Sequence, residues 1–202
     1  LGAPDCESSV SNPINAATGN KFADETDIAP SSGLVFSRSY NSNSLSGGTQ
    51  VGSNWRHNYQ RGLYPNPETV TATQPDGRMI YFRLSGSTWV NQQESGDTLV
   101  QLTDSNGDPT GWQFISVDDM VENYDIDGEL LTLISRDGRT QTLAYDVYNR
   151  LVTVSDDTGR ELTFTYDGSS RIETLTDPAG GVYWYDYDTA GNLASVTYPD
   201  SK

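Results

Sequence analysis

Cysteine, histidine, methionine and positive charge are all scarce in this sequence. With Cys6 as the one cysteine, no internal disulfide and no cysteine-based metal cluster can form, so nothing covalent staples the fold. With His57 as the one histidine, any histidine-dependent triad, dyad or zinc site would centre there. Its neighbours Trp55, Arg56 and Tyr59 read instead as a structural strand end. Only 12 Lys and Arg stand against 28 Asp and Glu, and the formal charge of −16 repels phosphate backbones and anionic lipid. Nucleic-acid partners are set aside on that ground. Membrane insertion is set aside because no stretch approaches the ~18 consecutive apolar residues of a spanning helix. Gly-x-Ser-x-Gly, Walker and Rossmann patterns are missing as well, and no enzyme activity is expected. The chain opens on Leu1 rather than Met, which reads as an excised or processed segment.

What is present favours sheet. The apolar content is 34%, weighted to 12 Tyr and 4 Trp, and it comes with 19 Gly and 9 Pro, a mixture suited to short strands joined by tight turns.

The second half repeats. Tyr-Asp recurs at Tyr124-Asp125, Tyr145-Asp146, Tyr166-Asp167 and Tyr187-Asp188, each time after 21 residues. Four residues beyond each Tyr stand Gly128, Asn149, Ser170 and Gly191, which suit a tight turn. Six residues beyond stand Leu130, Leu151, Ile172 and Leu193, and nine beyond stand Leu133, Val154, Leu175 and Val196. A second turn is marked by Gly138, Gly159 and Gly180. Residues 162–166 alternate apolar and polar as a half-buried strand does. One unit is therefore a β-hairpin: a strand ending on Tyr, a turn opened by Asp, a return strand, then the Gly turn. The aspartate carboxylate has a structural role, accepting backbone N–H groups two residues on. Positions six and nine differ in parity, which calls for a bulge or bend in the return strand. One hairpin is marginal alone, so units pair edge to edge and share an apolar face carried by Tyr124, Tyr145, Tyr166, Tyr187 and the aliphatic positions. Val182 to Tyr187 is large on both faces and is expected to touch something on each side.

The Tyr-Asp, Asn-Arg-Leu and Asp-Pro-Ala-Gly pattern, seen most fully at residues 145–151, 176–180 and 187–193, resembles the YD repeats of the RHS family. Residues 12–21, 33–42 and 52–59 hold three further motifs that resemble the domain preceding those repeats. Within the second of these, Leu34 and Phe36 would share one strand face, and a loop follows from Asn41. The expected organisation is a flexible end over 1–11, an RHS-associated N-terminal domain with degenerate repeats over 12–115, and four YD repeats over 116–202. The fold class is all-β, with antiparallel hairpin repeats curving into a partial RHS-type shell.

The resemblance implies a secreted or cell-surface structural segment of a shell that encloses and delivers a C-terminal toxin in bacterial competition. Its partners would be the remaining shell repeats and the enclosed toxin. The open edge after Val182 also invites self-association. The alternative is an adhesion or carbohydrate-binding module in which Trp184, Tyr185, Trp112 and Trp89 stack on sugar rings. A third reading, a hydrolase with paired carboxylates, needs only two acids across a cleft, but most acids here sit at turns. No cofactor is expected beyond weak calcium binding at the acidic turns 104–108 and 125–129, neither of which carries the twelfth-position glutamate of an EF-hand.

Overall fold

The computed structural model describes residues 9–10, 14–15, 19–29, 33–43 and 49–199, and among them every regular element is a strand. A small pair, β1 (Ser9–Val10) and β2 (Ile14–Asn15), comes first. Within the end expected to be flexible over 1–11, Ser9 and Val10 pair antiparallel with Asn15 and Ile14. The rest of that end, Cys6 included, lies outside the described residues, as does most of the loop expected from Asn41. An inner sheet follows, made of β3 (Phe22–Ile28), β4 (Phe36–Asn41) and β5 (Trp55–His57). Leu34, Phe36 and Arg38 are buried on one face, because alternate residues of an extended chain point the same way.

All remaining strands form one antiparallel sheet in which each pairs with its neighbours in sequence. Its first half holds β6 (Gly62–Pro65), β7 (Thr69–Thr73), β8 (Met79–Ser85), β9 (Thr88–Asn91), β10 (Thr98–Thr103) and β11 (Pro109–Ile115). The Tyr-Asp half holds β12 (Val121–Tyr124), β13 (Leu130–Ile134), β14 (Thr140–Tyr145), β15 (Leu151–Asp156), β16 (Glu161–Tyr166), β17 (Ile172–Thr176), β18 (Val182–Tyr187) and β19 (Leu193–Thr197). The sheet runs unbroken across residues 115 and 116, since β11 pairs with β12 from Ile115↔Val121 to Trp112↔Tyr124.

The sheet curls. Rings three strands apart meet, Phe82 on β8 lying edge-on to Phe114 on β11 at 6.1 Å. The start of the sheet reaches the turn after β12, where the Leu63 amide donates to the Gly128 carbonyl at 3.0 Å. The 14 strands do not close into a barrel, and among the described residues β19 has a neighbour on one side only.

The curl puts one face inward, and the core lies there: Val70 and Ala72 on β7, Ile80 and Phe82 on β8, then Leu130, Leu151, Ile172, Leu162 and Phe164 in the repeats. Each fully buried aliphatic or aromatic side chain contributes about 1.5–3 kcal/mol of hydrophobic stabilisation. The inner sheet rests on this face. Phe36 packs against Phe164 at 5.6 Å and Tyr185 at 6.2 Å, and His57 stacks on Phe36 at 5.4 Å.

The parity problem in the return strand is solved by a bulge in every repeat. Asn123 faces Thr132 while Tyr124 faces Leu130, so Leu131 is the extra residue. The same shift leaves Val152, Glu173 and Ala194 unpaired in the later repeats. A two-versus-one pairing restores the inward direction, and Leu130 and Leu133 are both buried. The turn feeding each bulge ends in a left-handed residue, with φ of 92° at Gly128, 61° at Asn149, 61° at Ser170 and 84° at Gly191.

Candidate functional site

The Tyr-Asp turns lie in a row along one rim of the sheet and are chemically alike. The Asp146 carboxylate accepts the amides of Tyr148 at 2.9 Å and Arg150 at 3.0 Å, and Asp167 does the same for Ser169 and Arg171 at 2.8 and 2.9 Å. Each then holds its arginine, with Arg150 Nε at 2.8 Å from Asp146 and Arg171 Nε at 2.8 Å from Asp167. The Arg150 side-chain bonds bring the Asp146 carboxyl below its ordinary range.

The tyrosines join neighbouring repeats. The hydroxyls of Tyr145, Tyr166 and Tyr187 donate to the carbonyls of Leu130, Leu151 and Ile172 at 2.8, 2.7 and 2.8 Å. Each rim arginine stacks on the tyrosine of the following repeat, Arg150 over Tyr166 at 4.8 Å and Arg171 over Tyr187 at 4.3 Å. The turns at Asp146 and Asp167 are thus bonded to themselves by Asp and to the following repeat by Tyr and Arg. Tyr124 is buried, whereas Tyr145, Tyr166, Tyr187 and Leu193 are half-buried and pack on the edge of the core.

The connection between β4 and β5 runs along this rim. Gln50 accepts the Ile172 amide at 2.7 Å, and the Ser53 amide donates to the Gly191 carbonyl at 3.0 Å. Among the described residues, cavities lie along the seam. A polar groove of about 750 Å³ is lined by Gln50, Tyr148, Arg150 and Arg171. A pocket of about 360 Å³ is lined by His57, Gln60, Asp125, Glu129 and Tyr145. On the far side, one of about 320 Å³ is lined by Tyr59, Met120, Leu133 and Arg160.

Two buried charge clusters, which the sequence reading missed, tie the layers together. The Asp27 carboxylate accepts Arg38 Nε at 2.6 Å and Nη2 at 2.8 Å, the Tyr185 hydroxyl at 2.8 Å and the Tyr198 hydroxyl at 2.9 Å. Burial works against the Arg38 charge, but Asp27 outweighs it and holds the guanidinium above its usual value. Burial, with the Asp27 charge beside it, raises the Tyr185 hydroxyl. In the second cluster Glu122 receives Arg61 and the Tyr124 hydroxyl, fixing the approach to β6 against β12. Burial, and then the Arg56 charge beside it, pull the His57 imidazole down to about 3, so the ring is neutral.

The sugar-stacking set does not assemble. Trp89, Trp112 and Tyr185 are buried at 9%, 2% and 3% exposure, because they occupy inward positions on β9, β11 and β18, and only Trp184 of the four, at 51%, faces solvent. The same parity corrects the two-sided packing expected of residues 182–187, whose outward side stays open at Trp184. In the acidic turn at 104–108 the Asp104 carboxylate accepts the amides of Asn106 at 2.8 Å and Asp108 at 3.0 Å. Among the described residues no group of three or more His, Cys, Asp or Glu is disposed to hold a metal ion, and no helix is long and apolar enough to cross a membrane.

A curled sheet of Tyr-Asp hairpins stitched along one rim defines a YD-repeat wall. Family models agree: a domain of unknown function (DUF6531) matches residues 11–82, and the Teneurin YD-shell matches residues 77–202. The second match spans more than half of the 202 residues, and the chain belongs to the YD-shell family of RHS/YD-repeat proteins. No curated protein matches the sequence. Among solved structures, the TcdB2-TccC3-Cdc42 complex is 13% identical with a TM-score of 0.33, matched over 92% of this chain and 11% of its own. The Tc holotoxin pore of Photorhabdus luminescens, carrying mutant TccC3, is also 13% identical with a TM-score of 0.33, over 90% and 10%. This chain spans about a tenth of the length of either match.

Proposed function

We propose that this chain is a non-catalytic wall segment of a secreted or surface-exposed shell that encloses a C-terminal toxin and delivers it in bacterial competition. The observation that carries this reading is the state of β19. Its inward Leu193 and Val196 are half-buried where their counterparts Leu151, Ile172, Val154 and Leu175 are buried, and among the described residues its outer edge has no neighbouring strand. Further hairpins of the same kind fit that edge, because they would extend the tyrosine ladder and bury the two side chains. Adhesion through sugar stacking has less support, since a single exposed indole offers no platform. Calcium at the acidic turns would be a minor surface property.

Limited proteolysis of the full-length parent tests enclosure. The C-terminal segment is expected to resist digestion until the shell is unfolded, and digestion as fast as that of the free segment would overturn the reading. Light scattering on the purified chain is expected to report a dimer or larger assembly through β19, and a folded monomer would overturn the open-edge argument. Saturable tryptophan quenching by sub-millimolar sugar would favour adhesion instead.

A further inference from the structure

Two of the four Tyr-Asp turns lack the rim arginine: in the fourth Asn192 takes its place and still donates to Asp188 at 2.9 Å, and in the first a carboxylate stands there. In the second and third repeats the residue four beyond the turn aspartate is Arg150 or Arg171, bonded to Asp146 or Asp167 and stacked on the next tyrosine. In the first repeat that position holds Glu129. Tyr145, the counterpart of Tyr166 and Tyr187, has no cation over its ring among the described residues, and the charges that act on its hydroxyl include those of Glu129 and Asp125. The cavity of about 360 Å³ lies at this place, with Asp125, Asp127, Glu129 and Tyr145 on its wall.

Two residues that line it carry buried acceptors without a partner. His57 is 1% exposed, and its Nε2 lies 3.0 Å from the Gln50 side-chain oxygen, so the neutral ring donates through Nε2 and leaves Nδ1 as an acceptor. That Nδ1 is buried without a partner, and so is Gln60 Oε1. Arg61, which also lines the cavity, is engaged by Glu122, Gln74 and Asn58. The lining therefore combines three carboxylates with an aromatic ring that has no cation over it, a set matched by a planar, donor-rich cation.

We propose that this cavity binds a guanidinium group, that of an arginine side chain, in the slot the rim arginine fills in the neighbouring repeats. A bound guanidinium would hydrogen-bond Asp125 and Glu129 and stack on Tyr145, repeating the arrangement of Arg150 with Asp146 and Tyr166. The site rests on these residues alone and is independent of what the wall encloses.

Isothermal titration of the full chain with Nα-acetyl-arginine amide tests it, with the uncharged Nα-acetyl-citrulline amide as control. Saturable binding of the arginine compound alone is expected. Glu129→Arg, which fills the slot with the chain's own guanidinium, is expected to weaken binding by at least about tenfold. Asp127→Asn, at an exposed position where folding is not at stake, is expected to weaken it several-fold. An acetylated Gly-Arg-Gly amide that binds at least as tightly would make a polypeptide arginine the ligand, whereas binding of the single residue alone would make it a free small cation. Equal binding of the arginine and citrulline compounds, or unchanged affinity in both variants, would overturn the proposal.

Discussion

Removing the Asp27 carboxylate should show how strongly the inner sheet is held to the repeat wall. Asp27 lies on β3, its Arg38 partner on β4, and the two tyrosines it accepts from are Tyr185 on β18 and Tyr198 just after β19. In Asp27→Ala the guanidinium of Arg38, with a side chain 5% exposed, stays buried without a counter-ion. Breaking a buried pair from one side costs about 3–5 kcal/mol. The stranded Tyr185 hydroxyl adds about 1–3 kcal/mol, while half-buried Tyr198 can turn toward water. A total of about 4–8 kcal/mol is a large share of the roughly 5–15 kcal/mol by which domains are stable. Urea unfolding followed by circular dichroism and tryptophan fluorescence should move to markedly lower denaturant. Tyr185→Phe, which loses one hydrogen bond to a charged group, should cost about 1.5–3 kcal/mol. Replacing Asp27 and Arg38 together by Leu and Met should be milder than Asp27→Ala, since no charge is left unpaired. A cost under about 1 kcal/mol for Asp27→Ala, or a double variant worse than the single one, would refute the argument.

Acid should destabilise the fold in two stages. Neutral His57, held near 3 in the folded chain against an ordinary 6.5, contributes stability above pH 6.5 that is lost as pH falls toward 3, because the unfolded chain takes up the proton first. Asp137, held down by Arg139 and Ser135, titrates at about 2. Asp156, pushed up by burial but held lower by Thr158 and Arg160, also titrates at about 2. Both contribute stability above an ordinary carboxylate value that is lost as pH falls through about 2. His57→Phe should therefore flatten the urea midpoint between about pH 6 and 4 and leave the fall below 4, and an unchanged upper slope would count against a neutral buried ring. Gly128→Ala would bring a Cβ to 2.1 Å from the Leu63 carbonyl at a φ of +92°, and thermal melting should register about 2–5 kcal/mol, with less than about 1 kcal/mol disproving the close approach. Tyr166→Ala loses a packed ring, the bond to Leu151 and the seat of Arg150, so denaturant unfolding should show about 3 kcal/mol or more, and a value under about 1 kcal/mol would undo the repeat ladder.

Much of this fold is local, and local rules are written in the chain. The 21-residue period, the turn residues at Gly128, Asn149, Ser170 and Gly191, and the aliphatic pairs follow from geometry that one hairpin settles within itself. The bulge was legible too, because Leu130 and Leu133 cannot both face inward on a regular strand. Even the Glu122 cluster left a trace: stepping by 21 residues from Glu122 meets Leu143, Phe164 and Tyr185, so a carboxylate stands where the other repeats place core side chains. The same period exposes Glu129 in the place of Arg150 and Arg171.

Other features were decided only when distant segments met. Trp89, Trp112 and Tyr185 look like a binding set in sequence, and the direction of the curl turned all three inward while leaving Trp184 outside. Asp27 and Arg38 read as ordinary polar residues of a half-exposed strand until β18 covers them, and no spacing rule links residue 27 to 185 or 198. Gly128 is marked in sequence as a turn residue, but its contact with Leu63 depends on the sheet curling far enough to bring β6 to the turn after β12. The period of a repeat sets which face of each hairpin is apolar. The accumulated twist and curl of the 14 strands, and the inner sheet that fills their concave side, determine which residues finally meet.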